Sequence, residues 1–165
     1  SAATIVWLMM IMGFAITAGI AGKLLDPYSP ARLVAVTASV AGIAMTVFGR
    51  HPERSLEDLA REALAGAMKD AGCGAADLGV AYYAGMTNGP LQGQISIPGQ
   101  VVFSKIGVEG IPVYNVENAC ASGSSAFNLA VQSLKAGITD VALALGSEKM
   151  NIPDKAKAFS IFEGD

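Results

Sequence analysis

The sequence has too few cysteines, histidines and clustered basic residues for several common kinds of site. Its two cysteines, Cys73 and Cys120, give no disulfide framework, and a reactive thiol would need a reducing compartment. The two cysteines and the single histidine, His51, are too few and too far apart in sequence to form a zinc site. The position of His51 beside Pro52 in a charged segment indicates a solvated loop residue. No basic cluster suggests nucleic acid. We therefore expect no metal and no bound cofactor, and a cytoplasmic location.

Charge is almost absent from the first 49 residues. They contain only Lys23, Asp26 and Arg32, whereas residues 50–165 carry a net charge of −4 from 9 basic and 13 acidic side chains. Residues 1–22 are entirely uncharged, and a helix of that length can cross the hydrocarbon core of a bilayer.

A second uncharged run, residues 33–49, follows a turn that contains two prolines. We interpret residues 1–39 as an apolar, membrane-like hairpin segment whose glycine and alanine positions suit close helix packing. Lys23 and Arg32 would place the loop in the cytoplasm. The alternative is a buried, alanine-rich helix pair of a soluble protein.

The remainder of the chain has the pattern of an α/β domain. Ser55 and Asp58 form a capping-box-like start to an amphipathic helix that stops at Gly72. The pattern also predicts strands near 80–86, 112–117 and 140–147, a turn over 87–90, and helices near 100–106 and 122–136. Such alternation favours a mostly parallel sheet covered by helices on both faces.

Cys120 lies where the predicted third strand turns into the last of these helices. The strand ends near Val116, and the helix that begins at Ser122 opens with small residues that let a substrate come close. Unpaired N–H groups and the positive end of the helix dipole there favour a thiolate over a thiol. The same N–H groups could hold the oxyanion of a tetrahedral intermediate.

Two other interpretations stay open at this turn. A lone cysteine among small residues is also typical of an inert core position. Glu117 would oppose ionisation of the thiol if its carboxylate were close and unpaired, so we expect it to point away or to be paired.

The residues around Cys120 also carry a family resemblance. Residues 116–127 (VENACASGSSAF) and 140–150 (DVALALGSEKM) resemble the nucleophile region of thiolases, most of all the acetyl-CoA acetyltransferases related to the sterol-carrier-protein thiolases. The likeness runs from about Gly49 to Asp165, and the thiolase-like domain would begin near residue 40. It implies the first half of a duplicated α/β/α fold in which Cys120 is the catalytic nucleophile and accepts the acyl group as a thioester.

The same resemblance implies a substrate and a partner. The enzyme would move an acyl group between acyl-CoA and CoA or a second acyl-CoA, with coenzyme A thioesters as substrates. The complete enzyme would be a homodimer with the Val113–Val116 strand near the twofold axis. In thiolases a histidine and a second cysteine from the later half complete the site, and neither lies in these 165 residues. We therefore expect the domain to be incomplete and the chain to be inactive as it stands.

The opening of the chain resembles a different family. Residues 18–37 (AGIAGKLLDPYSPARLVAVT) are similar to a membrane segment of the bacteriochlorophyll-associated permeases of the major facilitator class, and the likeness covers about residues 1–40. The combination indicates a chimera with its seam between Val36 and Met45. The alternative function is thus a membrane protein in which a transporter-like hairpin carries a non-catalytic thiolase-like domain.

Overall fold

The computed structural model describes residues 16–20 and 41–162. Five strands and five α-helices are found in these ranges, and we number them in chain order. The strands are β1 Ile16–Ile20, β2 Ala41–Ala44, β3 Val80–Ala84, β4 Val113–Val116 and β5 Val141–Gly146. The helices are α1 Leu56–Ala71, α2 Asn88–Gln92, α3 Pro98–Ile106, α4 Ser122–Lys135 and α5 Lys155–Ser160.

The five strands form one mixed sheet in the order β2-β1-β5-β3-β4. β3 pairs in parallel with β4 and with β5, whereas β1 is antiparallel to both β5 and β2. The expectation of a mostly parallel sheet is therefore correct for the β5-β3-β4 half alone. The α/β class itself is confirmed.

β1 differs from the helix that the uncharged run predicts. Residues 16–20 form a strand, with Ile16 opposite Ala44 on β2 and Thr17 opposite Ala144 on β5. The physical reason is that β5 would otherwise present one edge of unpaired backbone groups, and an apolar segment can satisfy that edge as well as it can form a helix. The other residues of the predicted hairpin, 1–15 and 21–39, lie outside the described residues.

Both faces of the parallel half are buried under helices. Alternate residues of β3 and β5, such as Ala81, Tyr83 and Leu143, pack against α1 and α3, with Phe103 fully buried between them. The intervening residues, such as Tyr82 and Ala144, pack against α4. Because side chains alternate across a strand, burial on both faces explains why these strands are continuously apolar in sequence.

β2 is an edge strand held closely against α1. A Cβ atom on Gly42 would lie 2.0 Å from the carbonyl oxygen of Ala67, so only glycine allows this approach. Asp70 accepts a hydrogen bond of 2.9 Å from the backbone N–H of Ile43, which satisfies a donor at the sheet edge. The capping box of α1 is present, with Ser55 Oγ accepting from Asp58 N at 3.0 Å.

Most of the other predicted elements are confirmed within a few residues. The exception is residues 87–90, where the structure has the start of the short helix α2 instead of a turn, ending at the left-handed Gly93. None of the helices in the described part of the chain combines the length and the hydropathy that a bilayer span requires.

Candidate active site

Loops that follow four of the strands meet at one edge of the sheet. β3, β4 and β5 are parallel, and β2 runs in the same direction because both β2 and β5 are antiparallel to β1. Their carboxyl ends therefore share an edge, the place where open α/β sheets bind ligands. Cys120 follows β4 there, Glu148 follows β5, and Thr87 follows β3.

Cys120 is exposed in a tight turn between β4 and α4. Residues 119–121 form a single 3₁₀ turn, and α4 begins directly afterwards at Ser122. The predicted position of the cysteine at a strand-to-helix turn is therefore confirmed, and Cys120 does not occupy the buried core position that was the alternative.

The turn has a strained backbone beside the thiol. Ala119 has φ of 45°, in the left-handed region, which costs a non-glycine residue roughly 1–2 kcal/mol. Side-chain hydrogen bonds offset that cost. Ser122 Oγ accepts from Asn118 N at 2.8 Å and donates to Ala119 O at 2.7 Å. Strain of this kind is often found at reactive sites, where the surrounding contacts enforce it.

Glu117 is paired, as expected. Its Oε1 accepts a hydrogen bond from the backbone N–H of Ala119 at 2.7 Å, which directs the carboxylate to the backbone just before Cys120. Asn118 Nδ2 also donates to Ser125 Oγ at 2.9 Å, tying the turn to the first turn of α4. The nucleophile loop, residues 117–122, is therefore held by its own side chains.

A buried carboxyl group lies next to this loop. Glu148 Oε1 accepts hydrogen bonds from the backbone N–H groups of Met86 and Thr87, the latter at 2.9 Å. Burial raises the pKa of Glu148, the two N–H donors and the Thr87 side chain act in the opposite direction, and the negative charge of Glu117 raises it again. The two glutamates are thus electrostatic neighbours across the end of β3.

Tyr83 extends the network into the core. Its hydroxyl donates to Ser147 O at 3.0 Å, lies 2.9 Å from Ser147 Oγ, and accepts from Asn88 Nδ2 at 2.8 Å. Burial raises the pKa of Tyr83 to about 12, so this hydroxyl stays neutral and cannot serve as a base near neutral pH. The ends of β3 and β5 are locked together by these bonds.

A cleft opens at the same edge between the segments that follow β2 and β5. Its lining comes from residues 45–49, His51, residues 146–151, and Leu59 and Ala63 of α1. His51 Nε2 lies 2.8 Å from Val47 O, so the ring is bound to the loop that carries it. β3 separates the cleft from β4, and the structure does not bring His51 to Cys120.

Cys73 has a different environment from Cys120. It is partly buried just beyond the C-terminal end of α1, where burial raises the pKa of its thiol and the negative charge of Asp77 adds to the effect. Within residues 16–20 and 41–162, no group of three or more potential ligands is arranged to hold a metal ion.

The sequence pattern missed the polar network around Glu148. From the sequence we predicted a turn at Thr87 and Asn88, and we assigned no role to Tyr83 or Glu148. The available signal was the presence of polar residues directly after two fully apolar strands, since the carboxyl ends of parallel strands meet at one edge.

Comparison with known proteins identifies the family. Residues 36–164 match the profile of the thiolase N-terminal domain. The chain is 34% identical over 133 residues to sterol carrier protein 2 of Gallus gallus, an alignment covering 79% of this chain and 23% of that protein. It is 36% identical over 112 residues to acetyl-CoA acetyltransferase of Methanothermobacter thermautotrophicus, covering 68% and 29% respectively.

A second acetyl-CoA acetyltransferase gives the same result. Acetyl-CoA acetyltransferase of Methanocaldococcus jannaschii is 37% identical over 123 residues, covering 74% of this chain and 31% of the relative. The chain belongs to the thiolase family and contains its N-terminal domain. It spans less than a third of the length of these three relatives.

The opening residues match another profile. Residues 1–49 are similar to the PUCC protein family, and this match overlaps the thiolase match over residues 36–49. The overlap includes the seam that the sequence predicts between Val36 and Met45.

Proposed function

We propose that this chain supplies the nucleophile of a thiolase-type acyltransferase, with Cys120 as the residue that accepts the acyl group. The observation that carries the proposal is the exposed thiol at the junction of a parallel strand and a helix N-terminus, beside the strained Ala119. Helix N-termini favour a thiolate and can stabilise an oxyanion. The family membership and the two acetyl-CoA acetyltransferase relatives support the same chemistry.

In the proposed reaction the thiolate of Cys120 attacks the thioester carbonyl of an acyl-CoA. The bond between the carbonyl carbon and the CoA sulfur breaks, CoA leaves as its thiolate, and the acyl group is held on Cys120. A second acyl-CoA, or CoA in the cleavage direction, then receives it. Coenzyme A thioesters enter as substrates, and the proposal includes no bound cofactor.

The position of Cys120 does not by itself provide a base that accepts the proton of its thiol. Glu117 Oε1 is occupied by the N–H of Ala119, and Glu148 Oε1 is occupied by the N–H groups of Met86 and Thr87. We infer that the base and the second acid/base group belong to the later half of the thiolase fold. The 165-residue chain by itself should therefore be inactive in complete acyl transfer.

Acylation of Cys120 tests the proposal. The purified chain is incubated with acetyl-CoA, alone and after co-expression with the later half of the Methanothermobacter thermautotrophicus acetyltransferase, and intact and peptide mass spectrometry locate any acetyl group. We expect an acetyl thioester on Cys120, with release of free CoA, in the co-expressed complex. A folded complex that binds acetyl-CoA and yet leaves Cys120 unmodified would argue against the assignment.

We also propose that the complete enzyme is a homodimer with β4 near its twofold axis. β4 is the last strand in the sheet order, and Tyr114 on it is half exposed while stacking on Tyr82 with a ring-centroid distance of 5.3 Å. An edge strand with exposed aromatic surface suits pairing with a second copy.

A second candidate is a membrane protein whose opening residues anchor a non-catalytic thiolase-like domain. The PUCC match over residues 1–49 favours it, whereas the strand at residues 16–20 favours a thiolase sheet that continues into this region. Carbonate extraction of membranes from expressing cells separates the two. We expect the chain to be released into the supernatant if residues 16–20 complete the sheet, and retention in the pellet would support the membrane candidate.

A further inference from the structure

Three buried oxygen atoms near Glu148 have no hydrogen-bond partner among the described residues. They are Glu148 Oε2, Thr87 Oγ1 and Asn88 Oδ1. Thr87 and Asn88 are almost fully buried neighbours, and the N–H of Thr87 donates to the other oxygen of Glu148. If Glu148 were ionised, Oε2 and Asn88 Oδ1 would both need donors, and the Thr87 hydroxyl brings only one proton. Leaving a buried acceptor unpaired is costly, and protonation of Glu148 would add a second donor to this group of three oxygen atoms.

The same carboxyl group is connected to the nucleophile loop by two sets of backbone contacts. Its Oε1 holds the N–H groups of Met86 and Thr87, and the adjoining Gly85 N donates to Val116 O at 3.3 Å. Glu117 follows Val116 and holds the N–H of Ala119 beside Cys120. The turn after β3 therefore lies between Glu148 on one side and the base of the nucleophile loop on the other.

We propose that Glu148 is a positioning residue for Cys120, acting as a neutral carboxyl group that fixes the Gly85–Thr87 turn and, through it, the loop that begins at Glu117. A neutral carboxyl group at Glu148 also avoids electrostatic repulsion between the two glutamates. An ionised Glu148 would repel Glu117, whose negative charge is already directed to the Ala119 backbone. The inference rests on the proposed acyl-transfer role of Cys120, but its test does not require acyl transfer.

The charged and titratable groups around Glu148 are consistent with the neutral form. Glu117 adds negative charge, and the Tyr83 hydroxyl is neutral with a raised pKa. Lys149 is directed away, because its Nζ donates to the carbonyl oxygens of Pro52 and Arg54. His51 lines the same cleft and is bound to Val47 O. None of these contacts places a cation on the Glu148 carboxyl.

The neutral form has a defined pH signature. The folded-state pKa of Glu148 is raised above its unfolded value, so its contribution to stability is fully present below the unfolded pKa and is lost as the pH rises through the folded pKa. Glu148→Gln keeps an acceptor and adds a donor that does not titrate. The melting temperature of the wild-type chain should therefore fall relative to that of Glu148→Gln as the pH is raised through this window.

The positioning role is tested by alkylation of the two cysteines with iodoacetamide in the folded 165-residue chain, read for each cysteine by peptide mass spectrometry. In the wild type, exposed Cys120 should react faster than Cys73, whose thiol pKa is raised. Glu148→Ala should slow Cys120 by about tenfold, while Glu148→Gln stays within about twofold of wild type, since a released loop would no longer hold the thiol beside the backbone N–H groups of the α4 N-terminus that make a cysteine reactive. Glu109→Ala, at an exposed glutamate bonded to Ser104, is the matched control.

The rate at Cys73 separates positioning from general loss of structure. A purely structural defect would accelerate labelling of partly buried Cys73, whereas the proposal requires Cys73 to be unchanged in every variant. An unaltered Cys120 rate in Glu148→Ala would overturn the proposal, and so would a Glu148→Gln variant as slow as the alanine variant. If Glu148→Ala does not fold, identical pH dependence of melting in wild type and Glu148→Gln would refute the neutral carboxyl. Failure of acetyl-CoA to acylate Cys120 would count against the acyl-transfer role alone.

Discussion

Replacing Cys120 by serine is expected to lower the rate of acyl transfer from acetyl-CoA by about three orders of magnitude or more, since loss of a nucleophile is among the most damaging changes to an enzyme of this kind. The reason is chemical, because a hydroxyl ionises far less readily than a thiol and the carboxylate closest in sequence, Glu117, is engaged by Ala119 N–H. The measurement is CoA release by the chain co-expressed with the later half of a thiolase.

The matched control is Cys73→Ser, because it makes the same atomic change at the other cysteine. Cys73 lies just beyond the end of α1, in the segment that leads into the amino end of β3, whereas the site lies at the carboxyl ends of the strands; its replacement should leave CoA release unchanged. Equal loss of CoA release in the two variants would show that thiol chemistry at Cys120 does not carry the reaction.

Replacing Phe103 by alanine is expected to lower the free energy of unfolding by about 3–5 kcal/mol, the usual cost of removing a buried phenyl ring. Phe103 is fully buried and contacts the ring of Tyr83 edge-to-face, with centroids 5.9 Å apart. A domain of this size is stable by roughly 5–15 kcal/mol, so the variant should be close to its unfolding threshold. Urea unfolding followed by circular dichroism measures the change.

Phe127→Ala provides the comparison at an exposed ring. Phe127 lies on α4 and is 42% exposed, so its loss should cost less than about 1 kcal/mol. Similar destabilisation by both variants would mean that the α3 side of the sheet is not packed as described. Because Tyr83 also bonds Ser147 and Asn88, the Phe103 variant should in addition loosen the network at the candidate site.

The local sequence was sufficient to predict most of the domain after residue 49. Ser55 and Gly72 mark the ends of α1 by capping and by a left-handed glycine, both of which depend on the residues at those positions. The apolar strands and the turn at Cys120 could also be predicted, because they too depend on residues close together in the sequence. Strand, turn and helix signals act within a few residues of one another.

The uncharged opening run shows that local signals did not predict the conformation of every segment. Residues 16–20 have the composition of a membrane helix and yet form a strand between β2 and β5. Composition measures how much apolar surface must be buried, and it does not say whether a bilayer, a helix pair or a sheet edge will bury it. The available edge of β5 is a property of the assembled sheet.

The amino-acid sequence by itself determined the α/β class of residues 41–162, the bounds of most of their helices and strands, and the position of Cys120 at a strand-to-helix turn. The tertiary structure alone decided that β1 enters the sheet antiparallel, that Glu148 reaches the Met86–Thr87 turn, and that Ala119 adopts a left-handed conformation. The physical reason is distance along the chain. Caps and periodicity are local, whereas Glu148 and Met86 are 62 residues apart and meet only because β5 and β3 are parallel neighbours.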